Sequence, residues 1–301
     1  MSYGIGIDLG GTRIKAARFD LDTGKLFATA LAPTRDGEST GAEPAFAAGI
    51  RDLLLTHEKE AGEPAAIVGL CAPGLADRDG SCIRFMPGKL KGLENLVWSD
   101  FLQRPALCLN DAHAALMGEI WQGAAKDKDD VVMLTLGTGV GGAVVSGGRL
   151  MQGHLGRAGH LGHLTVNLDG PLDATGTPGS LEYAIGNGHL AQRTQGRFQM
   201  TSDLLAAVQA GDPEADAIWA RSIQALSAAV ASLINCFDPE LFLVGGGISN
   251  AWPLIEPGLR RWLDQYEWRP GGHRVPVACA TLGEWAGCHG AVHFAMKTFN
   301  H

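Results

Sequence analysis

The apolar positions of this chain fall into short strand-length blocks cut by glycine turns, then into longer stretches with helical spacing. Residues 3–7, 14–19 and 26–31 read as three strands, and the turn Asp22-Thr23-Gly24 joins the last two into a meander. Residues 43–60 set Phe46, Ile50, Leu53 and Leu54 near a helical period, which predicts an amphipathic helix. A strand over 65–71 ends at Ala72-Pro73-Gly74, and a short strand over 107–109 runs straight into Asn110-Asp111. A helix over 112–121 follows, capped by that Asp or Asn. The second half repeats the order. Strands over 131–136 and 143–146 precede helices over 203–209 and 214–236, and Asp238-Pro239 stops the latter before a strand over 241–244. A helix over 252–266 with an internal Pro257, a strand over 275–280 and a last helix over 285–299 complete the chain. Residues 149–188 are irregular and glycine-rich, as a site rather than a core would be.

Strands then helix, twice over, predicts two α/β domains with a cleft between them, where small-molecule sites usually lie. The charged stretch 126–130 marks the expected boundary. Residues 1–125 form the first domain, joined by the C-terminal helix at about 285–301, and 126–284 form the second with the substrate loop.

Three glycine turns carry the chemistry: Asp8-Leu9-Gly10-Gly11-Thr12, Gly137-Thr138-Gly139-Val140-Gly141-Gly142 and Gly245-Gly246-Gly247. Glycine lets backbone N–H groups approach an anion with no Cβ in the way, and successive N–H groups make a nest for phosphate. The first two turns each sit between apolar strands, as a duplicated unit gripping one polyphosphate would place them. Composition agrees. Gly is 42 of 301 residues, about twice the usual ~7 %, with no collagen-like period. The net charge of −8 and the lack of a basic stripe argue against nucleic acid and anionic membranes as partners. The six cysteines are scattered, with no C-x-x-C pair, and read as buried free thiols in a reducing cytoplasm. No charged-then-apolar leader opens the chain, and no uninterrupted apolar run approaches the ~20 residues of a membrane span.

Asp111 stands out for chemistry. It follows an apolar strand and opens a helix, where a carboxylate can take the proton of a hydroxyl attacking a γ-phosphate. On spacing alone, a plain helix N-cap is a simpler account of it than catalysis.

The ordered motifs resemble those of the sugar kinase/actin/Hsp70 superfamily, and within it the ROK family of bacterial sugar kinases. Residues 8–15 resemble the first phosphate motif, 137–142 the second, and 245–247 the adenosine motif. Ala72-Pro73-Gly74, Asn110-Asp111-Ala112, residues 159–165 and Gly287-Cys288-His289-Gly290-Ala291 match further family landmarks, so the resemblance spans residue 3 to about 295. It implies two actin-like (ribonuclease H-like) α/β domains around an active-site cleft. It also implies an ATP-dependent kinase for a hexose or hexose derivative. Asp111 matches the family's general base, and Asn110 a group that binds the sugar. Gly10, Gly11, Thr12, Thr138 and Gly139 match the phosphate loops, and Gly245, Gly246 and Gly247 the adenosine site. Asp8 matches the carboxylate that holds Mg²⁺, through water, as suits an ion reluctant to dehydrate. Lys15 either neutralises phosphate or faces solvent on its alternating strand. A homodimer is implied by the family alone.

Departures from the family pattern are as informative. ROK kinases usually carry E-x-G-H and then C-x-C-G-x-x-G-C-x-E, whose His and three Cys bind a structural Zn²⁺. Here the first reads His160-Leu161-Gly162-His163, and the second runs from Asp173 to Glu182 without a gap. His163, Gly176, Gly179 and Glu182 stay in place, while the thiolates become Asp173, Thr175 and Ser180. That set is no closed zinc tetrahedron, so the expectation is no structural zinc and a loop held by hydrogen bonds among short polar side chains. His163 and Glu182 keep the family's sugar-facing positions, and Gly74 belongs to the same wall. His160 stands where the family has Glu. Gly88 or Lys89 stands where it has an Asn on the sugar, with Asn95 as an alternative. These changes fit either ordinary drift or a less acidic pocket for a substituted or acidic sugar. The rival function is a catalytically weak sugar-binding sensor of the same fold. A repressor is disfavoured, since no helix-turn-helix fits before Asp8.

Overall fold

The computed structural model describes residues 2–299, and the chain divides into two compact α/β units. The first holds the chain up to Asp127, Leu150–Ala158 and the chain from Thr281; the second holds Lys128–Arg149 and Gly159–Ala280. In chain order the first unit begins with strands β1 (Tyr3–Leu9), β2 (Arg13–Asp20) and β3 (Leu26–Pro33) and helix α1 (Ala45–Ala61). Strands β4 (Ile67–Ala72) and β5 (Leu107–Asn110) and helix α2 (Asp111–Gln122) follow. The second unit contains β6 (Val131–Leu136), β7 (Val140–Ser146), the first residue of the short β8 (Arg149–Leu150), α3 (Leu181–Ile185), α4 (Thr201–Gln209), α5 (Pro213–Phe237), β9 (Leu241–Gly245), α6 (Trp252–Tyr266) and β10 (Val277–Cys279). Helix α7 (Ala286–Phe299) returns to the first unit.

The two sheets share one plan. The first is ordered β3-β2-β1-β4-β5 and the second β8-β7-β6-β9-β10. In each, the leading strand pairs antiparallel with its hairpin partner and parallel with the strand on its other side. That placement sets each glycine turn at the end of a central, buried strand.

Strand β1 shows why the first unit holds together. Ile5, Ile7 and Leu9 join the core with Phe46 and Ile50 of α1. The alternate positions Gly4 and Gly6 face α7, so the helix lies directly on the backbone. A Cβ on Gly6 would stand 2.1 Å from the carbonyl oxygen of Cys288. Buried Glu119 ties the end of α2 to the start of this last segment. Its carboxylate accepts from the backbone N–H of Thr281 and Leu282, both at 2.8 Å.

Three features differ from the sequence reading. The second glycine turn shrinks to Gly137–Gly139, because Val140, Gly141 and Gly142 already pair within β7. Gly142 is there for closeness: a Cβ would meet the Gly159 carbonyl at 2.8 Å. The strand expected over 275–280 is only Val277–Cys279. Leu150–Ala158 belongs with the first unit rather than with the second. His113 Nε2 lies 2.8 Å from the Ala158 carbonyl, and a Cβ on Gly156 would stand 2.2 Å from the Ala76 carbonyl. Helix α5 is long and apolar enough to cross a membrane by length and composition, yet it packs Trp219, Ile223, Leu226 and Val230 into the second core. Asp212 caps it, accepting from Glu214 and Ala215 N–H, with Pro213 in the first turn.

Candidate active site

Asn110 and Asp111 divide two roles that sequence left open. Asn110 is the N-cap of α2, with extended backbone, and its side-chain oxygen accepts from the N–H of Ala112 at 2.9 Å and His113 at 3.2 Å. Its amide nitrogen donates to the Gly74 carbonyl at 3.0 Å and also serves the neighbouring Asp111 carboxylate. Gly74 reaches that point with φ of 106°, a conformation glycine tolerates. Asp111 is therefore released from capping. Its carboxylate uses one oxygen on the Ala112 N–H and remains open to solvent in a recess of surrounding protein. That confinement, then the charge on Asp8, pushes its pKa up, and the Ala112 and Asn110 bonds only partly oppose the shift.

Asp8 lies at the end of β1 and Lys15 opposite it on β2. Lys15 Nζ sits 3.0 Å from Asp8 Oδ2 and also donates to the Glu284 carbonyl at 3.0 Å. Burial pulls the ammonium pKa down, but the Asp8 charge outweighs it and the net shift is upward. The lysine is thus held on the carboxylate rather than released to solvent.

The glycine turns are built from outside. Thr34, wholly buried, donates to the Gly10 carbonyl at 2.6 Å, and its N–H donates to the Thr12 carbonyl at 3.0 Å. Above Gly11 and above Gly247 there is open space where a Cβ would stand, as a backbone cradle for an anion requires. In the second turn, Gly137 and Thr138 carbonyls accept from the N–H of Asn187 and Gly188 at 3.0 and 2.8 Å. Glu182 braces the same turn: its Oε2 accepts from Val140 N–H at 2.9 Å, and a Cβ on Gly139 would meet that oxygen at 2.5 Å. His189 Nε2 lies 3.8 Å from the other Glu182 oxygen. Gly245 closes β9, and Gly246, with φ of 85°, stands where a Cβ would be 2.4 Å from the Leu136 carbonyl.

Two cavities flank these groups within their own units. One of about 650 Å³ in the second unit runs from Gly247 and Ile248 past Asn187, Met200, Leu205 and Leu254, a size and an apolar lining that suit a nucleoside. One of about 730 Å³ in the first unit is lined by Asp36, Lys89, Lys91, Glu94 and Asn95 among others. Asp36 clamps that loop by accepting from Leu90 and Lys91 N–H. Lys89 is exposed on it, as is Gly88, so neither is fixed by packing.

The loop carrying the lost cysteines is a hydrogen-bonded knot around Asp173. Its Oδ1 accepts from Thr175 N–H, Thr175 hydroxyl and Thr177 N–H at 2.8, 2.8 and 3.0 Å. Its Oδ2 lies 3.3 Å from His163 Nδ1, and the Ser180 hydroxyl also donates to the carboxylate. Ser180 caps α3 by accepting from Tyr183 N–H. These donors engage the groups that replace the thiolates, and the set does not suit zinc: it has no sulfur and one imidazole. His160 precedes the 3₁₀ turn Leu161–His163, and Gly162 packs against the Val140 carbonyl.

Burial raises the Asp173 pKa, but the Ser180, Thr175 and Thr177 bonds outweigh it and hold the carboxyl well below the usual range. A depressed folded pKa contributes stability that is present above the unfolded value of about 3.9 and lost as pH falls through the folded one. Asp173→Asn should therefore cost most at neutral pH. The stability gap to the native chain, read by urea unfolding, should narrow below pH about 4 by up to about 1.4 kcal/mol per pH unit. An unchanging gap would place the ionised carboxylate outside the stabilising interaction.

A sequence model of the ROK family matches residues 4–298, nearly the whole chain. The chain belongs to the ROK family. It is 33 % identical to the glucokinase of Thermotoga maritima, the alignment covering 95 % of each chain. Among solved structures it is similar to the ROK hexokinase of Thermus thermophilus, with a TM-score of 0.84, 32 % identity and 99 % of each chain covered. It is also similar to a ROK family glucokinase of Streptomyces griseus in complex with glucose and AMPPNP, with a TM-score of 0.77, 30 % identity, and 98 % of this chain and 100 % of that one covered. Both the fold class and the family expected from the motifs are thereby established. Thr34, Asn187, His189 and the cavity beside Gly247 were not among the expected site groups. Asn187 and Gly188 do follow a Gly-rich run, but no spacing marks them as braces.

Proposed function

We propose that this chain, an ATP-dependent sugar kinase of the ROK family, transfers the γ-phosphoryl of ATP to a hydroxyl of a hexose or hexose derivative with Asp111 as general base. The observation that carries the base assignment is the division of labour at the start of α2. Asn110 satisfies the helix N–H groups, and Asp111 keeps a solvent-reachable oxygen with a raised proton affinity.

Mg²⁺-ATP, when bound, supplies the phosphoryl group and neutralises its charge. The residues fit it: Gly11 and Thr12, with Thr138 and Gly139, would offer backbone N–H groups to phosphate oxygens, while Gly10 shapes the turn by donating its own N–H to the Arg13 carbonyl, and the open space above Gly11 leaves room for an anion. Asp8 is a single, partly reachable carboxylate, which suits a hydrated Mg²⁺ held through water. Lys15 would compensate the charge at the same place. Gly247 lines the cavity that would take the nucleoside, and Gly245 and Gly246 lead the chain from the end of β9 to it. Asn110, His163, Glu182, His160, Lys89 and Gly74 form the sugar-recognition set in this reading, and a homodimer is expected from the family.

The test is ADP release with Mg²⁺-ATP across hexoses, amino sugars, N-acetyl sugars and sugar acids, with Asp111→Ala as the blank. A hit abolished in the variant is expected. Bound nucleotide with no turnover on any sugar would overturn the reading and leave a ligand sensor.

A further inference from the structure

We propose that Asp173 is a positioning residue that does the work of the absent metal on His163 and reverses the hydrogen-bond polarity of that imidazole. The inference rests on the reading of His163 as a sugar-contacting residue.

The argument starts from the carboxylate. Asp173 is buried, and its Oδ1 is filled by the Thr175 N–H, the Thr175 hydroxyl and the Thr177 N–H. Every neighbour at hydrogen-bond distance is a donor or can act as one, as expected around an ionised, acceptor-only carboxylate. Oδ2 lies 3.3 Å from His163 Nδ1, with the Thr175 hydroxyl oxygen 3.4 Å from the same nitrogen. The Thr175 hydrogen already goes to Asp173 Oδ1 at 2.8 Å, so that oxygen faces Nδ1 as an acceptor. Both groups at Nδ1 therefore ask for a proton. In the neutral imidazole the proton sits on Nδ1, and Nε2 keeps its lone pair.

A metal at the same nitrogen would do the opposite. It would take the Nδ1 lone pair and leave the proton on Nε2, so the outer nitrogen would be a donor. Replacing the metal with a carboxylate turns that outer nitrogen into an acceptor. His163 is about one-third exposed at its side chain, so this nitrogen is available. The ligand group that suits it is a donor: a sugar hydroxyl whose oxygen is held elsewhere, or the N–H of an amino or acylamino sugar. The network also fixes the ring plane, because Asp173 is anchored to its own loop by backbone N–H groups rather than by flexible side chains alone.

The experiment reads the tautomer directly, with or without activity. In full-length protein labelled at histidine nitrogens, at alkaline pH, a long-range proton–nitrogen correlation spectrum separates pyrrole-type from pyridine-type nitrogens. His163 is assigned by the signal lost in His163→Gln. The expected result is pyrrole-type Nδ1 and pyridine-type Nε2. The reverse tautomer, or stoichiometric zinc in the purified protein, would overturn the inference. Asp173→Asn, whose amide can donate to Nδ1, is expected to shift His163 toward the other tautomer and to raise the sugar KM about tenfold, the worth of one hydrogen bond. The ATP KM should hold. An unchanged tautomer in that variant, with the fold intact by circular dichroism, also counts against it. If no sugar is phosphorylated at all, the kinase reading fails, while the tautomer still decides the role of Asp173.

Discussion

Replacing Asp111 with Asn is expected to lower kcat by roughly 10²–10⁴-fold while ATP binding persists. The substitution keeps shape and volume but removes the carboxylate's charge and its ability to take up a proton, leaving an amide. It leaves the helix end intact, because the N-cap is Asn110 and not Asp111. A loss of that size with unchanged nucleotide affinity is therefore chemical rather than structural. The acid side of the pH profile supplies an independent check. Confinement and the Asp8 charge raise the Asp111 pKa, so kcat/KM in the native chain should fall on the acid side at a pH above the ordinary carboxylate value. Stability should respond with the opposite sign. A raised folded pKa favours the protonated carboxyl. Its contribution is fully present below the unfolded value of about 3.9 and is lost as pH rises through the folded value. At neutral pH the ionised Asp111 thus opposes folding, and Asp111→Asn should melt slightly higher than the native chain. An inactive variant with a raised Tm is the joint outcome; retained turnover would remove Asp111 from the base role.

The two-sheet plan was legible because it is local. Glycine turns after apolar blocks mark strand ends wherever backbone must approach something closely, and Asp8, Gly10, Gly137 and Gly245 all stand at such ends. The knot at Asp173 was legible as well, since His163, Asp173, Thr175 and Ser180 keep gap-free spacing to the family pattern and only the side-chain chemistry differs. What was hidden depends on distance along the chain. Glu119 grips Thr281 and Leu282 across more than 160 residues, and Thr34 braces Gly10 from a strand end that looks like an ordinary loop start. Neither shows a local pattern. The choice between Asn110 and Asp111 as cap was hidden for another reason. Both residue types cap well, and only the extended backbone at 110 and the direction of its side chain decide. Gly141 and Gly142 misled because glycine reads as a turn signal, whereas both pair within β7 and Gly142 admits the Gly159 carbonyl and Leu161 against the strand.

Gly290→Ala is expected to destabilise the first unit by about 3 kcal/mol or more, although alanine is the better helix former. The sign is decided by what a Cβ would meet. At Gly290 it would stand 1.6 Å from the carbonyl oxygen of Ala114 and 2.7 Å from the Gly118 nitrogen. At Gly118, across the same crossing, it would stand 2.4 Å from the Ala286 carbonyl. These are backbone atoms of helices α2 and α7, so no side chain can rotate away and the helices must separate. Gly49 in α1 is the matched control. A Cβ there meets only Ile14 Cδ1, at 3.4 Å, so Gly49→Ala should keep the helix-propensity gain of up to about 1 kcal/mol. Two glycine-to-alanine changes inside helices should therefore move the unfolding midpoint in opposite directions. For a domain of this size the loss at 290 corresponds to a Tm lower by on the order of 6–12 °C. Function follows the packing, because α2 carries Asp111 in its first turn and α7 fixes where that helix lies. Surviving Gly290→Ala protein should thus lose kcat as well, through a displaced base rather than an altered one. Equal melting of the two variants would show that the close α2–α7 crossing is not what holds Asp111 in place.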